Sequence, residues 1–109
     1  PEIRSYMTVA AVKDLTAPNP LAPAPSDDSG RSSQTFIVEV VVRRGNEKRR
    51  AVASGRDIYA FTAPLVVEAM ERVLRGEVKT AGVFTAGEAF DARDFLASLC
   101  PEHLMLDIG

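Results

Sequence analysis

Asp57, Tyr59 and Thr62 are the residues whose types and spacing could do chemistry in this chain. A tyrosine can donate a proton and an aspartate can hold a cationic group. All three stand where an apolar-periodic segment begins, and the free N–H groups of a helix start favour anions. They are the candidate site residues. The competing reading is structural, with Asp57 and Thr62 capping the helix and Tyr59 anchoring the loop before it. Cys100 and His103 have the residue types of a thiol–imidazole couple. Pro101 separates them and no third group orients them, which favours packing and surface roles.

Other chemistries lack their residues. Gly-x-Gly-x-x-Gly occurs nowhere, and Gly82-Val-Phe-Thr-Ala-Gly87 lacks the Lys-Ser/Thr that would make it a phosphate loop. One cysteine and one histidine cannot build a structural zinc site or an internal disulfide. Arg43, Arg44, Lys48, Arg49 and Arg50 cluster in sequence and could meet phosphate, on nucleic acid or on the 2′-phosphate of NADP. Without interleaved aromatics, and in a chain of net charge −2, they read as a solvated hairpin end guarded by charge.

The elements that must position these residues are legible from periodicity. Phe36-Ile-Val-Glu-Val-Val-Val42 alternates as a strand, Gly45-Asn46 suits a tight turn, and a second strand runs from Lys48 to about Ser54. A helix follows from about Thr62 to Arg75, with Thr62 as cap, Pro64 in the first turn and Gly76 at the end. Its core stripe is Val66, Met70, Val73 and Leu74, widened by Leu65 and Ala69, with Phe61 and Val66 as a staple. Glu68–Arg72 and Glu71–Arg75 form i,i+4 pairs on the wet face. Asp57 to Tyr59 could add an earlier turn.

Residues 82–90 read as an extended piece leading to Asp91, which caps a helix over Ala92 to Leu99, with Phe90 and Phe95 at staple positions. Leu104 to Ile108 predicts a terminal strand. Ile3 to Val9 alternates and predicts a further strand. Residues 16–34 hold four of the seven prolines together with Ser and Asp, and predict a long loop, mobile or loosely packed, with Arg31 as its first proteolytic site.

Gly55-Arg-Asp-Ile-Tyr-Ala-Phe-Thr-Ala, Gly82-Val-Phe-Thr-Ala-Gly-Glu-Ala-Phe-Asp91 and the opening Pro1-Glu-Ile-Arg-Ser-Tyr-Met7 occur in that spacing. Together they resemble the C-terminal end of saccharopine-dehydrogenase-like oxidoreductases. The resemblance implies a C-terminal domain that carries no nucleotide-binding machinery of its own. It would shape the substrate side of a cleft, beside an N-terminal Rossmann domain that binds NAD(P). The chain is then a single-domain piece spanning 1–109, expected to bind no cofactor and to be inactive alone.

Composition sets the remaining expectations. A chain of 109 residues supports one small core. The slight negative charge argues against nucleic acid and anionic membrane as partners, and a lone cysteine suits a cytoplasmic setting. The fold class expected is α+β, a two-layer sandwich of mainly antiparallel sheet with two helices on one face. Ile37 and Val41, on the other face, would then need cover from a second copy, giving a homodimer, or from the Rossmann domain. The alternative reading is a non-catalytic protein-interaction module.

Overall fold

The hairpin between Thr35 and Arg56 organises the molecule. A computed structural model describes residues 3–20, 22–78 and 81–109. Leu21 of the Pro/Ser-rich stretch lies outside them, as do Pro1, Glu2, Lys79 and Thr80. The described elements run α1 (Val9–Leu15), β1 (Thr35–Arg44), β2 (Glu47–Arg56), α2 (Ile58–Leu74), α3 (Ala86–Ala89), α4 (Ala92–Ser98) and β3 (Met105–Ile108). The strands form one antiparallel sheet in the order β1-β2-β3, and the class is α+β.

The β1–β2 register is continuous from Thr35↔Arg56 to Arg44↔Glu47, closed by the two residues Gly45-Asn46. Gly45 has φ 59 while Asn46 keeps a negative φ, the pattern of a turn with glycine at its first central position. On β2's far side Val52 pairs with Asp107 and Ala53 with Leu106, and Gly109 exchanges backbone hydrogen bonds with Arg50. Cross-strand partners share a face. Phe36, Val38, Val40, Ala51, Ala53, Gly55 and Leu106 therefore lie on one side, and Ile37, Glu39, Val41, Arg50, Val52, Ser54 and Met105 on the other.

Both longer helices pack on the Phe36 side. Phe95 and Leu99 of α4 and Leu104 are buried, with Phe36, Ala53, Phe61, Leu65, Ala69 and Phe90 against them. Phe61 of α2 meets Phe36 at a ring separation of 5.5 Å, and Phe90 meets Phe95 at 5.0 Å, the staple expected for α4. Asp91 caps that helix through Asp94 N–H at 2.8 Å.

Several expectations are corrected. The segment Ile3 to Val9 is not a strand: residues 3–8 are irregular, and Thr8 Oγ1 accepts the Ala11 N–H to start α1. Its alternation is not used in the sheet, whose outer strands are β1 and β3. Residues 86–89 are not extended but form α3, whose Thr85 and Glu88 make a capping box.

The α2 stripe is rotated from its predicted position. Val66, Met70, Val73 and Leu74 are exposed, while Phe61, Leu65, Ala69 and Arg72 face inward. Phe61 closes the first turn of α2 and anchors it on Phe36 instead of acting as a staple partner of Val66, and that contact sets the rotation. Pro64 accordingly falls inside the helix. Finally, the pair Glu68–Arg72 lies on the inner face, where Arg72 is 7% exposed and stacks 5.2 Å from the Phe95 ring. An arginine's aliphatic stem can serve as core when its head is paired. Glu71–Arg75 does sit on the wet face, at 3.5 Å.

Candidate functional site

The turn from β2 into α2 is a single residue. Asp57 sits at φ 57, the one non-glycine residue with positive φ among those described. Aspartate tolerates this left-handed geometry better than most residues because its short side chain can bond locally. Its carboxylate caps α2: Oδ1 accepts from Tyr59 N–H at 3.1 Å and Ala60 N–H at 3.0 Å. Oδ2 accepts from Ser32 N–H at 2.7 Å, and its own N–H donates to Gln34 O at 2.7 Å. These N–H groups, Ser32's first and then Ala60's, hold the carboxyl below its ordinary range. The Ser32 hydroxyl, buried beside it, adds to that effect but finds no partner of good hydrogen-bond geometry.

The three predicted cleft residues do not converge. Asp57 is buried with both oxygens engaged. Tyr59 is 70% exposed, and Thr62 is exposed with its hydroxyl donating to Ile58 O at 3.2 Å. Thr62 therefore bonds back within the helix and does not cap it; Asp57 does.

Arg56, one residue earlier, fastens the second half of the Pro/Ser-rich loop. Its Nε donates to Ser32 O at 2.6 Å, and its Nη2 reaches Ser26 Oγ at 2.7 Å, Arg31 O at 3.0 Å and Asp27 Oδ2 at 2.7 Å. Asp27 also accepts from the Ser29 hydroxyl and N–H, and these bonds, with Arg56 second, lower its pKa to about 2. Residues 26–34 are thus tied down, which corrects the expectation of a loop loose as far as residue 34. Arg31 is half-buried and poorly placed for cleavage.

That fastening borders an open depression of about 500 Å³, lined by Thr35, Phe36 and Ser54 of the hairpin together with Arg31, Arg56 and residues 101–105. Arg31 Nη2 lies 3.0 Å from His103 Nδ1. Since guanidinium only donates, Nδ1 accepts, and the ring proton sits on Nε2, 3.8 Å from Glu102 Oε1. Arg31 has no carboxylate partner among the described residues, so the depression could receive an anionic group. No hydroxyl or thiol in it is hydrogen-bonded to a base. Cys100 does not line it, and its thiol donates to Leu96 O at 3.3 Å.

The basic cluster divides. Arg50 is paired to Glu39 at 2.6 Å and lies 3.6 Å from Asp107. Arg43, Arg44, Lys48 and Arg49 have no carboxylate partner among the described residues. Lys48, Arg49 and Arg93 rim a second depression of about 390 Å³ floored by Val40, Val42, Ala51 and Ile108. Sequence reasoning did not find the contacts that Arg31, Arg56 and Arg72 make with residues 22 or more positions away.

Among the described residues no group of three His, Cys, Asp or Glu side chains could hold a metal ion, and no helix is long and apolar enough to cross a membrane. Comparison with protein-family models, with curated proteins and with solved structures found no match for the chain.

Proposed function

We propose that this chain acts by association, as a domain without nucleotide-binding machinery whose sheet and outer helix face receive a partner surface. One observation carries the reading. The chain exposes 9144 Å², whereas a compact monomer of 11.8 kDa exposes about 5,900 Å². Its radius of gyration is 16.5 Å against about 13 Å for a globular chain of this length.

Part of the excess lies in residues 3–20 and 22–25, which are nearly all exposed. On the sheet and on α2, large apolar side chains are exposed as well. Ile37, Val41 and Met105 stand bare on one sheet face, Val38, Val40 and Val42 on the other, and Val66, Met70 and Val73 line the outside of α2. Large apolar side chains left bare on regular elements in this number mark interface surface. In the setting that the resemblance implies, the partner is the Rossmann domain of an NAD(P)-dependent oxidoreductase, and the chain is its C-terminal part, flanking the substrate cleft.

Oxidative footprinting tests the reading in the chain as its gene encodes it. Met105 and Met70 are expected to oxidise several-fold more slowly than Met7, although the three are 61%, 53% and 61% exposed in the isolated chain. Equal rates at all three would overturn it. A gene that encodes no dinucleotide fingerprint upstream would remove the oxidoreductase setting and leave association standing.

A further inference from the structure

We infer that the outer edge of β1 pairs antiparallel with β1 of a second copy, across a two-fold axis at Val41. The inference rests on the association reading and names one surface and one occupant. Arg50 exchanges its backbone N–H and C=O with Gly109, on the β3 side of β2. Val41, opposite Arg50, therefore sits at a position whose own N–H and C=O point away from β2. The same holds at every second residue, so Ile37, Glu39, Val41 and Arg43 turn their backbone groups to the open edge.

From Thr35 to Val42, short of the charged hairpin end, that edge is unguarded. β1 is ten residues long, pairs without a bulge and contains no proline. Natural edges of this length are normally broken by such devices, or covered. The one charge in its middle, Glu39, is already paired with Arg50 at 2.6 Å. Two-fold pairing is the closed way to satisfy such a strand.

Charge selects the register. With the axis at Val41, Glu39 of each copy stands directly opposite Arg43 of the other, and Val40 opposite Val42. Arg43 has no carboxylate partner within the described chain, and opposite charges directly across a ladder are favourable. With the axis at Glu39 the two carboxylates would face each other. With the axis at Val40, Glu39 meets Val41 and Arg43 meets Ile37. Only the Val41 register matches both charges.

The test is sedimentation equilibrium on the 109-residue chain from about 1 to 100 μM, a range that brackets micromolar affinities. A dimer is expected. Val41→Pro removes an N–H that β2 does not use, so the hairpin should persist by circular dichroism while the dimer weakens at least ~10-fold. Glu39→Arg and Arg43→Glu should each weaken it, and the double exchange Glu39→Arg/Arg43→Glu should restore it. The exchange keeps the proposal testable even if the proline variant misfolds. A chain monomeric throughout, a dimer indifferent to Val41→Pro in a folded chain, or no rescue by the exchange would overturn the pairing. Protection of Met105 and Met70 without any β1 dependence would leave the association reading intact while removing this one.

Discussion

Arg72 Nη1 lies 2.6 Å from Asp94 Oδ2, so α2 and α4 are joined by an ion pair with a buried arginine and an exposed aspartate. The arginine side chain is 9% exposed and the aspartate 71%. Arg72 also holds Glu68 at 2.6 Å and covers the face of Phe95. It is therefore a piece of core whose charge is answered on two sides.

Removing that core piece should matter more than removing its exposed partner. Arg72→Ala is expected to cost roughly 2–4 kcal/mol, because it opens a void over Phe95 and leaves half-buried Glu68 with only the more distant Arg75, at 3.9 Å. Arg72→Met should cost less, since an apolar chain of similar length keeps the packing. Asp94→Asn should cost under about 1 kcal/mol, as exposed pairs do. Urea unfolding of the three variants checks the order, and an Asp94 effect as large as that of Arg72→Ala would refute it.

Local chemistry made much of this fold legible in the sequence. Gly45-Asn46 between two alternating runs gave the hairpin, Gly76 ended α2 at φ 72, and Asp91 with Phe90 and Phe95 marked α4. The rotation of α2 was hidden because the helix is apolar on two sides, and Phe61 against Phe36 decides which side turns inward. Ile3 to Val9 carried a strand pattern, but pattern alone does not supply a pairing partner. Of the candidate site, Asp57 was legible as a cap. Its contact with Ser32 spans 25 residues of separation, and no local signal encodes that.

The structural role of Asp57 separates it from Tyr59 and Thr62. Asp57→Ala should lower Tm by several degrees, since three N–H groups lose their acceptor and alanine is strained at φ 57. Asp57→Asn should fall between, keeping the left-handed tolerance and one acceptor oxygen. Tyr59→Phe and Thr62→Val should leave Tm within a degree or two of the parent, because neither side chain is buried. Thermal melts by circular dichroism decide the matter; a large loss from Tyr59→Phe would give that hydroxyl a partner not seen here.

Acid should release the loop before it melts the sheet. The Asp27 carboxyl is lowered from 3.8 to about 2 by Ser29 and Arg56, and Asp57 is lowered in the same direction. A depressed folded pKa contributes stability that is complete above the unfolded value and is lost as pH falls toward the folded one. For Asp27 the window runs from 3.8 down to about 2. Amide exchange at Ser26 and Gly30 should quicken within it, while Val52 and Ala53 in the central strand stay protected. Asp27→Asn should already show the quick exchange at neutral pH, and unchanged rates in that variant would count against the Asp27–Arg56 fastening.

Gly55 is the position where the smallest added group should do the most. It stands across from Phe36 in the β1–β2 register. A β-carbon there would lie 2.7 Å from Phe36 Cζ, 2.9 Å from Cε1 and 3.2 Å from the His103 carbonyl oxygen. The ring lies over the glycine because nothing stands in its way, and from there it reaches Phe61. An aromatic covering a cross-strand glycine recovers the apolar contact that glycine itself cannot make. The ring could swing aside, but doing so would loosen its contact with Phe61, and the His103 carbonyl is backbone. Gly55→Ala is therefore expected to cost about 1–3 kcal/mol, the range of an overpacked site. Phe36→Leu in the Gly55→Ala background should recover part of that loss, giving a double-mutant coupling above about 0.5 kcal/mol. Full stability in Gly55→Ala, or strict additivity with Phe36→Leu, would show that the ring does not depend on the bare glycine.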